Sequence, residues 1–243
     1  MMHLTPEELA GWLDETATAA LAEARVESPP VDAFAVARVL GITVAEDAGQ
    51  AGRARYVRLR GMGGNRPRPT VLLRPDARPE RCHWALAHEI GEHLACRLFE
   101  RAGIDPRETR PQMREMVANQ LAGRILVPTA WYADDGLACG WDLIRLKAHY
   151  ATASHELLAR RMLDLPPPVI ITIFDRGRQT FRRSNVSGRV PPMCQREQRC
   201  RRNTHCDGRP CADDTAPEIV QSWPIHEPDW KREIIRREVP WEE

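Results

Sequence analysis

The chain has little of what would place it in a membrane, outside the cell, or in bulk contact with nucleic acid. No stretch of its 243 residues approaches the roughly 18 consecutive apolar side chains of a membrane span. The opening MMHLTPEELAGWLDE lacks the basic stretch and apolar core of a secretory leader. Charge of one sign is not in excess either. Thirty-five Lys and Arg stand against 34 Asp and Glu, a net charge of +1, which implies neither bulk disorder nor a global affinity for nucleic acid. Lysine is scarce, with Lys147 and Lys231 alone, an arginine bias that reads as genome base composition rather than function. The seven cysteines are odd in number and form no C-x-x-C pair, so neither a secreted disulfide framework nor a zinc ribbon is indicated. The expected setting is a reduced cytoplasm with no membrane partner, and the length suits one good-sized domain plus additions.

What is present centres on residues 81–98, RCHWALAHEIGEHLACRL. Trp84, Ala87, Gly91, Leu94 and Leu98 recur at three- and four-residue steps, which predicts a helix with one buried stripe. His88 followed at once by Glu89 inside such a helix is the first half of the signature H-E-x-x-H, where two ligands one turn apart face one metal and the Glu between them is the general base. Here the residue four after His88 is Glu92, and His93 comes one residue late. His88 to Glu92 is about 40° around a helix and His88 to His93 about 140°. Glu92 is therefore read as the second ligand, with His93 as the alternative if a π-bulge presents it.

A second stretch, REMVANQLAGRILVP from Arg114, carries Glu115, Ala118, Ala122 and Ile125 as a helical stripe. A carboxylate on an apolar face is costly unless something positive meets it, and a metal held by His88 would do so. The alternative for Glu115 is a partly exposed acid in the first turn, where the helix dipole favours it.

Together the two stretches resemble the ImmA/IrrE family of zinc metallopeptidases, whose A-H-E-x-G-H helix is followed by an E-x-x-A-N-x-F-A-x-x-L-L-x-P helix. The matches are Ala87, His88, Glu89 and Gly91, then Glu115, Ala118, Asn119, Ala122, Leu126 and Pro128, with Leu121 in place of Phe and Glu92 in place of the second ligand His. The resemblance covers about residues 31 to 163. It implies an α+β, zincin-like (minimal gluzincin) domain with a small sheet on the metal helix. It implies Zn2+ held by His88, Glu92 and Glu115, with Glu89 as catalytic base of an endopeptidase. The partner would be a protein or peptide substrate such as a repressor. By analogy, the strand at 70–74 would be a sheet edge that receives extended substrate. Tyr132, His149 and Tyr150 are the candidates for stabilising the oxyanion. The ligand exchange at Glu92 also implies an alternative, a zincin-fold regulator that lost hydrolysis and serves as a metal-binding or nucleic-acid-binding module.

The rest of the chain divides into an N-terminal helix (1–30), the metallopeptidase domain (31–165) and a C-terminal extension (166–243). Thr5-Pro6-Glu7-Glu8 reads as a helix start. Residues 31–40 read as a short helix, and 42–44, 55–60 and 70–73 as strands, with a glycine-rich loop at 61–67. Residues 131–136 read as a loop, followed by a helix at 141–150 and another that begins within 151–155, capped by Ser154 or Thr152, and runs through Met162; the two resemble a helix-turn-helix but more simply close the domain. A hairpin is expected at 169–183. Beyond it Cys194, Cys200, Cys206 and Cys211, with gaps of five, five and four residues, read as loose thiols in a partly ordered Arg-rich tail, or else as a second metal site.

Overall fold

The computed structural model describes residues 5–59, 67–105 and 108–240. The glycine-rich stretch 61–66, part of the polar connection at 106–107 and the terminal Trp241 lie outside the described residues. The protein is α+β, as expected, and forms two compact units, residues 1–132 with 149–154 and residues 133–148 with 155–243.

The first unit begins with α1 (Pro6–Glu23). Thr5 and Glu8 cap each other reciprocally at its start, Thr5 N–H donating to Glu8 Oε2 at 2.8 Å and Glu8 N–H to Thr5 Oγ1 at 3.2 Å, so two orphan donors of the first turn are satisfied. In α2 (Ala33–Val39) the Asp32 carboxylate accepts the Phe34 N–H. Strands β1 (Thr43–Glu46), β2 (Ala54–Leu59) and β3 (Arg68–Leu73) form a sheet in the order β1-β3-β2, with β1 parallel and β2 antiparallel to β3. The central position of β3 corrects the expectation of a substrate-receiving edge at 70–74. Both sides of that strand already carry a partner, and among the described residues the outer strands are β1 and β2.

Helices α3 (Pro79–Arg101) and α4 (Pro111–Leu126) make the core. Leu86, Ile90, Leu94 and Leu98 of α3 and Leu121, Ala122 and Ile125 of α4 are buried, and Ala85, Ala95 and Phe99 bury a further face of α3. The single stripe expected there is thus too narrow. A helix enclosed by α2, the sheet and α4 needs apolar residues on several sides. The α3–α4 approach is tightest at Gly91, where a Cβ would lie 2.5 Å from the Ala118 carbonyl oxygen.

The second unit takes up the chain at Ala133, inside α5 (Thr129–Cys139), and residues 131–136, expected as a loop, lie within this helix. Gly136 lies under the Trp141 ring, which a Cβ there would meet at 2.3 Å. Helices α6 (Leu143–His149) and α7 (His155–Arg161) follow. The expected tail is instead a packed layer. Strands β4 (Val169–Asp175), β5 (Arg178–Ser184), β6 (Cys211–Asp213), β7 (Val220–Glu227) and β8 (Trp230–Glu238) form one antiparallel sheet in the order β5-β4-β8-β7-β6. Helix α8 (Gln195–Asp207) lies on it. The expected hairpin, β4–β5, is one side of that sheet. The alternation in Val220–Glu227 and Trp230–Glu238 is masked by arginines and glutamates whose charges are neutralised inside. Glu197 of α8 is fully buried, and Arg182 grips it through two bonds of 2.8 and 3.2 Å. Arg237 reaches it at 3.4 Å, and the Cys194 N–H at 2.9 Å.

Glu197→Ala strands the buried Arg182, while Arg237 keeps Glu218 at 2.6 Å, and an uncompensated buried charge costs about 3–5 kcal/mol. Urea unfolding should show a loss of that order. Burial holds His83 below the ordinary imidazole value, against the opposing charges of Asp32 and Glu80. Its neutral Nδ1 accepts the Ala33 N–H at 3.3 Å. With the folded value depressed, the unfolded chain takes up the proton first. Stability linked to His83 is therefore present above about pH 6.5 and is lost as pH falls through the folded value. His83→Gln, which keeps an acceptor but no titration, should lose less stability than the wild type between neutral pH and pH 5.

Candidate metal centre

His88 and Glu92 lie one turn apart on α3, and Glu115 and Asn119 one turn apart on α4, on either side of the Gly91–Ala118 contact. His88, Glu92 and Glu115 each offer one ligand atom within 4.8 Å of the other two, a group able to hold a metal ion. His88 Nε2 is 3.6 Å from Glu115 Oε2. Two ligands about 2.0–2.1 Å from a tetrahedral zinc lie about 3.4 Å apart, so little movement is needed.

Asn119 arranges this pair from behind. Its Oδ1 lies 3.2 Å from His88 Nδ1, and its Nδ2 donates to Glu115 Oε1 at 2.9 Å. An amide whose nitrogen is committed to Glu115 presents its oxygen to His88, so His88 Nδ1 carries the proton and donates. Nε2 then faces a carboxylate oxygen, an arrangement that either a proton on the ring or a metal cation between the two satisfies. A hydrogen-bonded far nitrogen is how metal-ligating imidazoles are commonly fixed. Glu92 accepts from Arg114 Nη2 at 3.3 Å, so a guanidinium competes with any ion for that oxygen. Glu115, with 60% of its side chain exposed, keeps the site open to solvent.

Glu89 is buried beside this group. Burial pushes its carboxyl above the ordinary range, while His88, when protonated, and the Tyr56 backbone N–H work the other way. His93 is turned elsewhere. Its Nδ1 meets the Tyr56 hydroxyl at 3.0 Å, and α3 runs as an unbroken α-helix through it. Tyr132 and Tyr150 are fully buried and pack edge to face at 5.4 Å, with His149 against Tyr150. That corrects the oxyanion expectation for both tyrosines, whose hydroxyls are enclosed in the core.

The basic residues of α7 are engaged within their own unit. Arg161 is buried and pairs with Asp164, and Arg160 pairs with Glu156 at 2.7 Å and lies over the Phe181 ring. The cysteines do not form a metal site among the described residues. Cys200 is enclosed with Phe174, Val220 and Ile235, and burial, with Cys211 adjacent, pushes its thiol up to about 12. A different group does converge there, His205, His226 and Glu233. Sequence reading passed over it, because nothing in the spacing of His226 and Glu233 shows that β7 and β8 bring them together.

No protein-family model matches the chain, and no curated protein matches it. Among solved structures it resembles a Mycobacterium tuberculosis transcriptional regulator, with a TM-score of 0.67 and 16% identity over 95% of this chain and 79% of that one. These findings correct the ImmA/IrrE resemblance, and with it the assignment as a hydrolase, protease or metallopeptidase. The fold is that of a protein named for regulation, and no family match supports a peptidase. Physically, Ala87, Gly91, Ala118 and Ala122 recur in the motifs because two helices this close need small residues between them, whatever chemistry they serve.

Asn119→Leu removes the bond to the far nitrogen of His88 and the one to Glu115 while keeping volume. Any divalent-ion affinity of this group should fall by about 10- to 100-fold, measured by titration of Zn2+ against a chromophoric chelator. An unchanged affinity would show that Asn119 does not orient the site.

Proposed function

We propose that the chain is a metal-binding regulatory protein that acts on nucleic acid. The observation that carries this reading is the likeness in fold, along 95% of the chain, to a protein named as a transcriptional regulator. Under this reading the His88, Glu92 and Glu115 group binds Zn2+, whose preference for imidazole nitrogen and carboxylate oxygen suits the donors. The zincin-like arrangement of a ligand-bearing helix beside a small sheet is a scaffold for binding. Because Arg114 holds Glu92 when no ion does, metal uptake frees a guanidinium at the N-terminal end of α4. That supplies a local change for a regulator to transmit. Seven free cysteines suit a reduced cytoplasm.

Phosphate has a candidate seat in the first unit. A cavity of about 410 Å³ is lined by Arg53, Arg74 and Arg81 with Asp76 and Cys82. Asp76 accepts from Arg81 at 3.2 Å, leaving an excess of positive charge at the opening. Arginines clustered round a pocket suit backbone phosphates, contacts that position a nucleic acid without reading its sequence.

The test is fluorescence anisotropy on a short duplex as a function of salt. Arg53→Ala and Arg74→Ala should each weaken binding uniformly across sequences and reduce the slope of log affinity against log salt by about 1. Zinc added to chelator-treated protein should change the affinity, and His88→Gln should remove that response. Absence of duplex binding at low salt would overturn the nucleic-acid reading.

A further inference from the structure

The helix-covered face of the second sheet holds a group that the proposed function does not use. Pro224 of β7 stands opposite Glu233 of β8, so His226, two residues along, lies diagonally across from Glu233 on the same face. Helix α8 is tied to that face by Thr204, whose hydroxyl donates to the Ser222 carbonyl at 3.4 Å. The next residue, His205, is thereby brought over the carboxylate. Nδ1 of His205 lies 2.7 Å and Nε2 of His226 3.0 Å from the same oxygen, Glu233 Oε1. We propose that His205, His226 and Glu233 form a binding site for a divalent transition-metal ion, separate from the group on α3 and α4.

Three observations carry this. Glu233 is 0% exposed, and a fully buried carboxylate needs a positive partner. Among the described residues its ion-pair partners are the two imidazoles alone, with no arginine or lysine. Its second oxygen, Oε2, is enclosed and has no hydrogen-bond partner, so half of its bonding capacity is directed at nothing. Lastly, two imidazole nitrogens and a carboxylate oxygen from three separate elements are the donor types that zinc and its neighbours prefer. His205, with 40% of its side chain exposed, provides a way in for the ion and room for a water ligand.

The spacing of 2.7 and 3.0 Å is that of hydrogen bonds, as expected while both rings donate to Oε1. A tetrahedral ion requires about 3.4 Å between ligands, so uptake displaces the two ring protons and moves the rings outward by about half an ångström. Oε2 can then share the ion. The competing description is a proton-bridged triad with no affinity for metal.

The experiment titrates the chelator-treated full chain with Zn2+ against a chromophoric chelator, and with Co2+ read by its visible absorption. A His88→Gln background removes the first group, so failure of the proposed function does not confound the result. In that background one ion should still bind. His226→Gln or His205→Gln should then weaken it about tenfold or more and abolish the Co2+ bands. If the His88→Gln chain takes up no ion, only the proton-bridged triad exists and the proposal is overturned. Because His205 is partly exposed, His205→Gln is expected to fold, as circular dichroism would verify. An unchanged zinc affinity in that variant overturns the proposal on its own.

Discussion

The close approach of α3 and α4 at Gly91 and Ala118 is the constraint from which the first unit follows. With backbone meeting backbone there, the residues one turn apart on each helix are forced to face each other across a narrow gap. His88 and Glu92 come from one side, and Glu115 and Asn119 from the other. Leu86, Ile90 and Leu94 on α3 and Leu121 and Ile125 on α4 hold the pair in place, so the polar cluster is presented by rigid elements rather than by a loop.

The second unit solves a different problem. Its helix α8 is strongly polar, and it covers a sheet face that carries Glu233, Arg237 and Arg182 among apolar residues. Burial of these charges is tolerable because they are matched locally. Glu197 satisfies Arg182 and, together with Glu218, Arg237, and two imidazoles meet Glu233. Away from these pairs the same interface is apolar, with Cys200, Phe174, Val220 and Ile235 in contact. Such matched charges add little net stability but penalise any other seating of the helix, since a shift of one turn would strand a buried charge.

The peptidase reading failed for an instructive reason. A histidine and a glutamate in adjacent positions on an apolar helix specify where ligands can point, not what a bound ion is used for. The small residues that completed the motif match are requirements of helix contact. The fold over nearly the whole chain, second sheet included, is similar to that of a protein named as a transcriptional regulator.

Local physics made several elements legible from the sequence alone. Thr5 and Pro6 start α1, the apolar steps of 84–98 and 118–125 mark α3 and α4, and Asp175-Arg176-Gly177 marks the β4–β5 turn. Helical phase alone also set His88 and Glu92 on one side of α3 and turned His93 away. Tertiary structure decided what depends on distant partners. It placed β3 between two strands, because parallel pairing with β1 is invisible in either segment. It made residues 131–136 helical, with Trp141 packed over Gly136. It also built a sheet and a helix from an Arg- and Cys-rich stretch that reads as a tail, because the neutralising charges of Glu197, Arg182 and Arg237 lie far apart in sequence. His205, His226 and Glu233 meet for the same reason: strand register and helix docking fix their positions, and neither is written in local spacing.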